Sequence, residues 1–89
     1  MENDFRIWKF PLAIGNSSVV LMPEDSKMLS VGNQNGVLCL WAVCEIEKKY
    51  VPHKFTVVGT GRLMPKQLGN FLGTAIVPPN VWHVYQDIR

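Results

Sequence analysis

Apolar positions along the chain alternate with polar ones at a period of two, in short runs broken by Gly, Pro and Asn every eight to twelve residues. No window of helical length carries a 3.6-residue period, so the pattern predicts strands. The densest stretch is residues 27–44, KMLSVGNQNGVLCLWAVC, where two apolar-rich runs meet at Asn35-Gly36. Asn-Gly predicts a type I′ hairpin, because both central residues of that turn need positive φ. A two-residue turn sets Gln34 opposite Val37, Val31 opposite Leu40, Ser30 opposite Trp41 and Leu29 opposite Ala42. One face then holds Leu29, Val31, Leu38, Leu40 and Ala42. The other holds Met28, Ser30, Gly32, Cys39, Trp41 and Val43, with small Ser30 and Gly32 leaving room for the indole. Both faces are apolar, so each is expected to be covered, by the rest of the chain or by a second copy.

Further strands are predicted over residues 5–10, stopping at Pro11, and over 17–22 after a turn at Gly15-Asn16. Beyond the hairpin, EIEKK at 45–49 is an ambiguous charged segment and Pro52 is expected to interrupt the chain. Residues 54–61 form the next strand, with Phe55, Val57 and Gly59 on one face and Thr56, Val58 and Thr60 on the other. A loop over 62–70, a strand over 71–77, a turn at Pro78-Pro79-Asn80 and a last strand over 81–86 complete the reading. Six or seven short strands imply an all-β fold, a small antiparallel sandwich or partly closed barrel built on the central Asn-Gly hairpin.

The length, 89 residues, fits one β domain over 1–89, at a size where oligomerisation is a useful source of extra buried area. With 47% hydrophobic and 18% charged residues the chain has more surface than usual suited to a subunit contact, which favours a homo-oligomer. No apolar run approaches the ~20 residues that span a bilayer, and MENDFR lacks the basic start and apolar centre of a signal peptide. A cytoplasmic protein with no membrane partner is expected. Cys39 and Cys44 lie five apart in one strand, on opposite faces, and read as buried thiols rather than a bridge. Two cysteines and two isolated histidines do not make a metal-ligand pattern, so neither metal nor cofactor is expected.

Charge placement changes this picture more than the net charge of +2. Residues 1–47 hold six acidic and three basic residues, whereas residues 48–86 hold Lys48, Lys49, Lys54, Arg62 and Lys66 with no carboxylate. That half is a candidate anion-binding surface. Within it, Gly59-Thr60-Gly61-Arg62 joins glycines that let backbone approach a ligand, a hydroxyl donor and a guanidinium: the parts of a phosphate cradle. Neither the Walker spacing nor a dinucleotide fingerprint is present. The competing reading is a strand-end turn with a solvated Arg62. Tyr50, beside Lys48 and Lys49, and Tyr85 in the last strand are candidate platforms for a base, while most large aromatics belong to the core or an interface. His53 and His83 fall in no recognisable catalytic pattern.

The segments WKFPL at 8–12, LMPEDSKMLSVGNQNGVLCLWAV at 21–43, FTVVGTG at 55–61, LGT at 72–74 and VWHVY at 81–85 resemble a family of small phage and prophage proteins of unknown function. The resemblance implies a phage accessory protein with a compact β fold and supplies no catalytic residues. Phage accessory proteins of this size often act against host defences, and that general property of phage biology, rather than these residues, sets the expectation of a counter-defence role in the host cytoplasm. Together with the basic half, this sets the leading expectation: a non-enzymatic binder that sequesters an anionic nucleotide immune signal, such as a cyclic oligonucleotide, in an oligomer. Its ligand-binding residues would be Arg62, Thr60, Gly61, Lys54, Lys66, Lys48, Lys49 and Tyr50. The alternative is a protein–protein inhibitor of a host defence complex, or an assembly factor, working through strand edges. An enzyme acting on a phosphate compound ranks third, for want of a carboxylate in the basic half. DNA binding ranks below these, because no recognition-helix pattern accompanies the charges.

Overall fold

The Asn35-Gly36 turn forms as its residue types demand, with φ of 54° and 83° and the Gly36 N–H donating to Asn33 Oδ1 at 2.8 Å. A computed structural model describes residues 4–15 and 17–87; Asn16, the second residue of the predicted Gly15-Asn16 turn, lies outside them. Seven strands follow in chain order: β1 (Phe5–Pro11), β2 (Ser18–Pro23), β3 (Lys27–Gln34), β4 (Val37–Glu45), β5 (Tyr50–Gly59), β6 (Asn70–Val77) and β7 (Asn80–Gln86). All pair antiparallel, in a three-stranded sheet ordered β1-β4-β3 and a four-stranded sheet ordered β2-β5-β7-β6. The fold is an all-β sandwich whose sheets do not close into a barrel. The described residues include no helix, and so none long and apolar enough to cross a membrane.

Period-two alternation sorts β4 cleanly. Leu38, Leu40, Ala42 and Cys44 point inward and are buried against Phe55 and Val57 of β5, Trp82 and Val84 of β7, Ala75 of β6 and Met22 of β2. On the outer face Trp41 lies over Gly32, where an added Cβ would stand 3.3 Å from the ring, as the small-residue pairing predicts. Cys39 and Cys44 are both buried and free.

Two expectations change. Leu29 does not face Ala42: the β3–β4 register shifts between Met28 and Ser30, so Met28 pairs with Ala42 and packs against the core while Leu29 is left exposed. A β-bulge inserts one residue and flips the alternation beyond it, which no two-residue turn specifies. The other change is at Pro52, which interrupts nothing, because β5 begins at Tyr50, runs through the proline and ends at Gly59. Residues 50–55 of β5 pair with β2, while 55–59 pair with β7, Phe55 having a partner on both sides. The Lys54 carbonyl accepts from the Asp87 N–H on the β7 side, and the Val57 N–H donates to Gly15 O on the other. Backbone groups alternate sides along a strand, so Pro52 turns its missing donor toward the β7 side, where no strand lies beside it.

The two sheets meet along one pair of edges. Asn33 Nδ2 of β3 donates to the Ile76 carbonyl of β6 at 3.1 Å, and at Gly73 an added Cβ would stand 3.0 Å from Val31 Cγ2. At the other pair of edges β1 and β2 stay apart and expose Phe5, Ile7, Val19 and Leu21. Leu40, fully buried in the core, is expected to cost about 2–5 kcal/mol on substitution by Ala. Leu63→Ala, at 95% exposure, should change stability by less than about 0.5 kcal/mol. Urea unfolding midpoints of the two variants check the contrast.

Candidate functional site

The second half of β5 and the whole of β7 form the centre of the four-stranded sheet, in the register Thr56↔Tyr85, Val57↔Val84, Val58↔His83 and Gly59↔Trp82. Alternation sends Val57, Val84 and Trp82 into the core. It sends Val58, His83 and Tyr85 to the outer face. Gly59, the last residue of β5, lies with its backbone against Trp82: a Cβ there would approach the indole to 2.9 Å. The chain then turns, with Gly61 at φ +87°, the Arg62 N–H donating to Gly59 O and the Thr60 N–H to Val81 O, both at 3.0 Å.

Residues 61–69 pass beside this outer face and return at Gly69, where an added Cβ would sit 1.7 Å from the Gln86 carbonyl oxygen. Only glycine permits so close an approach. Between turn and sheet lies a pocket of about 220 Å³ with Val58, His83 and Tyr85 on the sheet side and Gly59, Thr60, Gly61, Arg62 and Met64 on the other. Tyr85 is backed by Phe71, ring centroids 5.2 Å apart and planes at 56°. Arg62 is the one charged residue of the lining, and it makes no ion pair among the described residues.

His83 is gripped at both nitrogens. Thr60 Oγ1 stands 2.7 Å from Nε2, and Thr74 Oγ1, brought alongside by the β6–β7 pairing, stands 2.9 Å from Nδ1. Neutral imidazole has one donor and one acceptor nitrogen, and each threonine hydroxyl can play either part.

Of the residues predicted for the site, the pocket gathers Thr60, Gly61 and Arg62. The Thr60 and Arg62 N–H groups are spent on backbone carbonyls, so they are not free to cradle a phosphate. Lys48, Lys49 and Tyr50 lie at or before the start of β5. At about 3.3 Å per residue its ends are on the order of 30 Å apart, so within one copy these three lie far from a ligand seated at the turn. Lys48 is instead paired with Asp25 at 3.4 Å, which places an acidic residue of the first half against the basic second half. Lys54 sits midway along β5 opposite Val19, and exposed Lys66 is not part of the lining.

His83, Tyr85, Val58 and Met64 join the site without having been singled out as a group. Alternation puts His83 and Tyr85 on one face of their strand and Val58 and Thr60 on one face of theirs. Only the β5–β7 pairing makes those faces the same. His53 lies far from this pocket, opposite Val20 in the first half of β5, with Nε2 buried and unpartnered among the described residues.

A protein-family profile described as a domain of unknown function, DUF7352, matches residues 4–89, and the chain belongs to that family. Neither the curated proteins nor the solved structures give a match.

Gly69→Ala forces the loop away from β7 and is expected to destabilise the fold by on the order of 3 kcal/mol. Urea denaturation measures that cost, and limited proteolysis should show earlier cutting within residues 62–69 than in the parent protein.

Proposed function

We propose that this DUF7352 domain binds a small anionic nucleotide at the Thr60–Arg62 pocket and holds it without turnover. Following its resemblance to phage and prophage proteins, the role would be counter-defence in the host cytoplasm, an oligomer sequestering a nucleotide immune signal such as a cyclic oligonucleotide. The observation that carries this reading is the meeting of Arg62 and the Thr60 hydroxyl with an aromatic ring, Tyr85, in a pocket lined by no carboxylate. Guanidinium and hydroxyl groups suit phosphate oxygens, and an aromatic face suits a base of any identity.

Pocket size refines the proposal. Sites that enclose a drug-sized ligand run from roughly 300 to 1,000 Å³, so 220 Å³ takes a phosphate with part of its sugar or base and leaves the rest outside. A cyclic dinucleotide repeats the same group on each half and suits two copies of the pocket, as an oligomer would supply. Partner-protein binding is the second reading. It is favoured by the open edges of β1 and β2, where Phe5, Ile7, Val19 and Leu21 are exposed beside unpaired backbone.

Calorimetric titration with cyclic dinucleotides and mononucleotides separates the readings. Arg62→Ala should weaken binding roughly 10- to 100-fold, since hydrogen bonds to a charged group contribute about 1.5–3 kcal/mol. Lys48→Ala and Tyr50→Ala should leave affinity unchanged, and the ligand should be recovered intact. Equal affinity in parent and Arg62→Ala protein sinks the assignment. Turnover that Thr60→Val abolishes would make the pocket an active site. Retention of a host protein that depends on Ile7 or Leu21 moves the function to the strand edges.

A further inference from the structure

The Thr74–His83–Thr60 chain has no part in holding the fold's core, yet it engages both imidazole nitrogens and ends at the pocket. Its hydrogen-bond polarity decides what the pocket offers a ligand. In one arrangement Thr60 donates its proton to Nε2 and turns an oxygen lone pair toward the pocket. In the reverse arrangement Thr74 donates to Nδ1, Nε2–H donates to the Thr60 oxygen, and the Thr60 O–H is free to donate onward. When His83 is protonated both nitrogens donate, the Thr60 O–H is again free, and a positive charge is added.

An anion accepts hydrogen bonds and cannot donate them. It opposes the first arrangement, accepts the second and gains most from the third. We propose that the pocket takes up its anion together with a proton on His83, with Thr74 and Thr60 orienting the imidazolium so that Thr60 presents its hydroxyl to the ligand. This rests on the anionic-ligand reading above and adds the proton linkage to it.

The surroundings of His83 give the linkage its sign. β5 offers it Val58, β6 offers Thr74, the turn offers Thr60 and Arg62, and β7 itself offers Tyr85. Arg62 is the permanent charge in the set. A bound anion favours the imidazolium over the neutral ring, so the complex binds a proton more readily than the free protein. Linkage is reciprocal, so affinity rises as pH falls through the window in which imidazoles titrate, about pH 5–8, by up to about tenfold per pH unit for one coupled proton. The ligand class follows as well: an acceptor-only anionic group is selected over an uncharged nucleoside.

The test follows His83 by NMR of ¹⁵N-labelled histidine between pH 5 and 8.5, with and without sulfate, a tetrahedral dianion that does not titrate in this range. His53 is the internal control, since it lies in the other half of β5. Sulfate should raise the His83 midpoint by about half a unit or more and leave His53 unmoved, and Arg62→Ala should remove the effect. Calorimetry with cyclic di-AMP in two buffers of different ionisation enthalpy should show proton uptake below neutral pH. His83→Gln should bind with little pH dependence, and Thr74→Val should bind the anion more weakly than the parent. An unmoved His83, or an equal shift at His53 and His83, overturns the linkage. If cyclic di-AMP still binds through Arg62 without proton uptake, the linkage fails and nucleotide binding stands. If neither anion perturbs the pocket, both fail.

Discussion

Burial of one row of β4 side chains against the opposite sheet is the interaction on which the rest of the molecule depends. Leu38, Leu40, Ala42 and Cys44 repeat at a period of two over seven residues, and leaving that row in water would forfeit most of the apolar area the hairpin carries. β1 and β3 flank it in one sheet. Phe55, Val57, Val84 and Trp82 meet it from the two central strands of the other. Because strand residues alternate, committing these four to the core commits Val58, His83 and Tyr85 to the outer surface. The dry interface thereby sets the sheet side of the pocket.

On that base the pocket is assembled by one sharp turn and one tight return. Gly59 accepts the Trp82 ring, Gly61 takes positive φ, and Gly69 passes against the Gln86 carbonyl, so the segment between them is held beside the sheet. The polar groups that result are few and convergent: a guanidinium, a hydroxyl and an imidazole whose two nitrogens are both engaged. A small pocket on a rigid sheet, reached by a short loop, suits recognition of one chemical group more than enclosure of a large molecule.

The charge asymmetry of the chain has a different fate in three dimensions. Lys48, Lys49 and Arg62 are close in sequence terms, yet a ten-residue strand separates the first two from the third. Asp25, from the acidic half, comes to Lys48 because the β2–β3 turn lies beside the β4–β5 turn, an arrangement also marked by the Glu24 N–H donating to Lys49 O. Exposed charges gain little from any one partner, so charge counts along the chain carry little information about where charges gather.

From the sequence alone came the all-β class, the Asn35-Gly36 hairpin, the packing of Trp41 over Gly32, the opposed faces of the two cysteines and the turn at the end of β5 around Gly59–Arg62. Each rests on a local rule: a φ requirement, a period of two, or a residue too small to fill its place. Tertiary structure alone decided the bulge at Leu29, the continuity of β5 through Pro52, the exclusion of Lys48, Lys49 and Tyr50 from the pocket, and the entry of His83, Tyr85 and Thr74 into the site. These depend on which strands lie side by side. The choice of neighbours minimises exposed apolar area over the whole chain, and no short window of residues contains it.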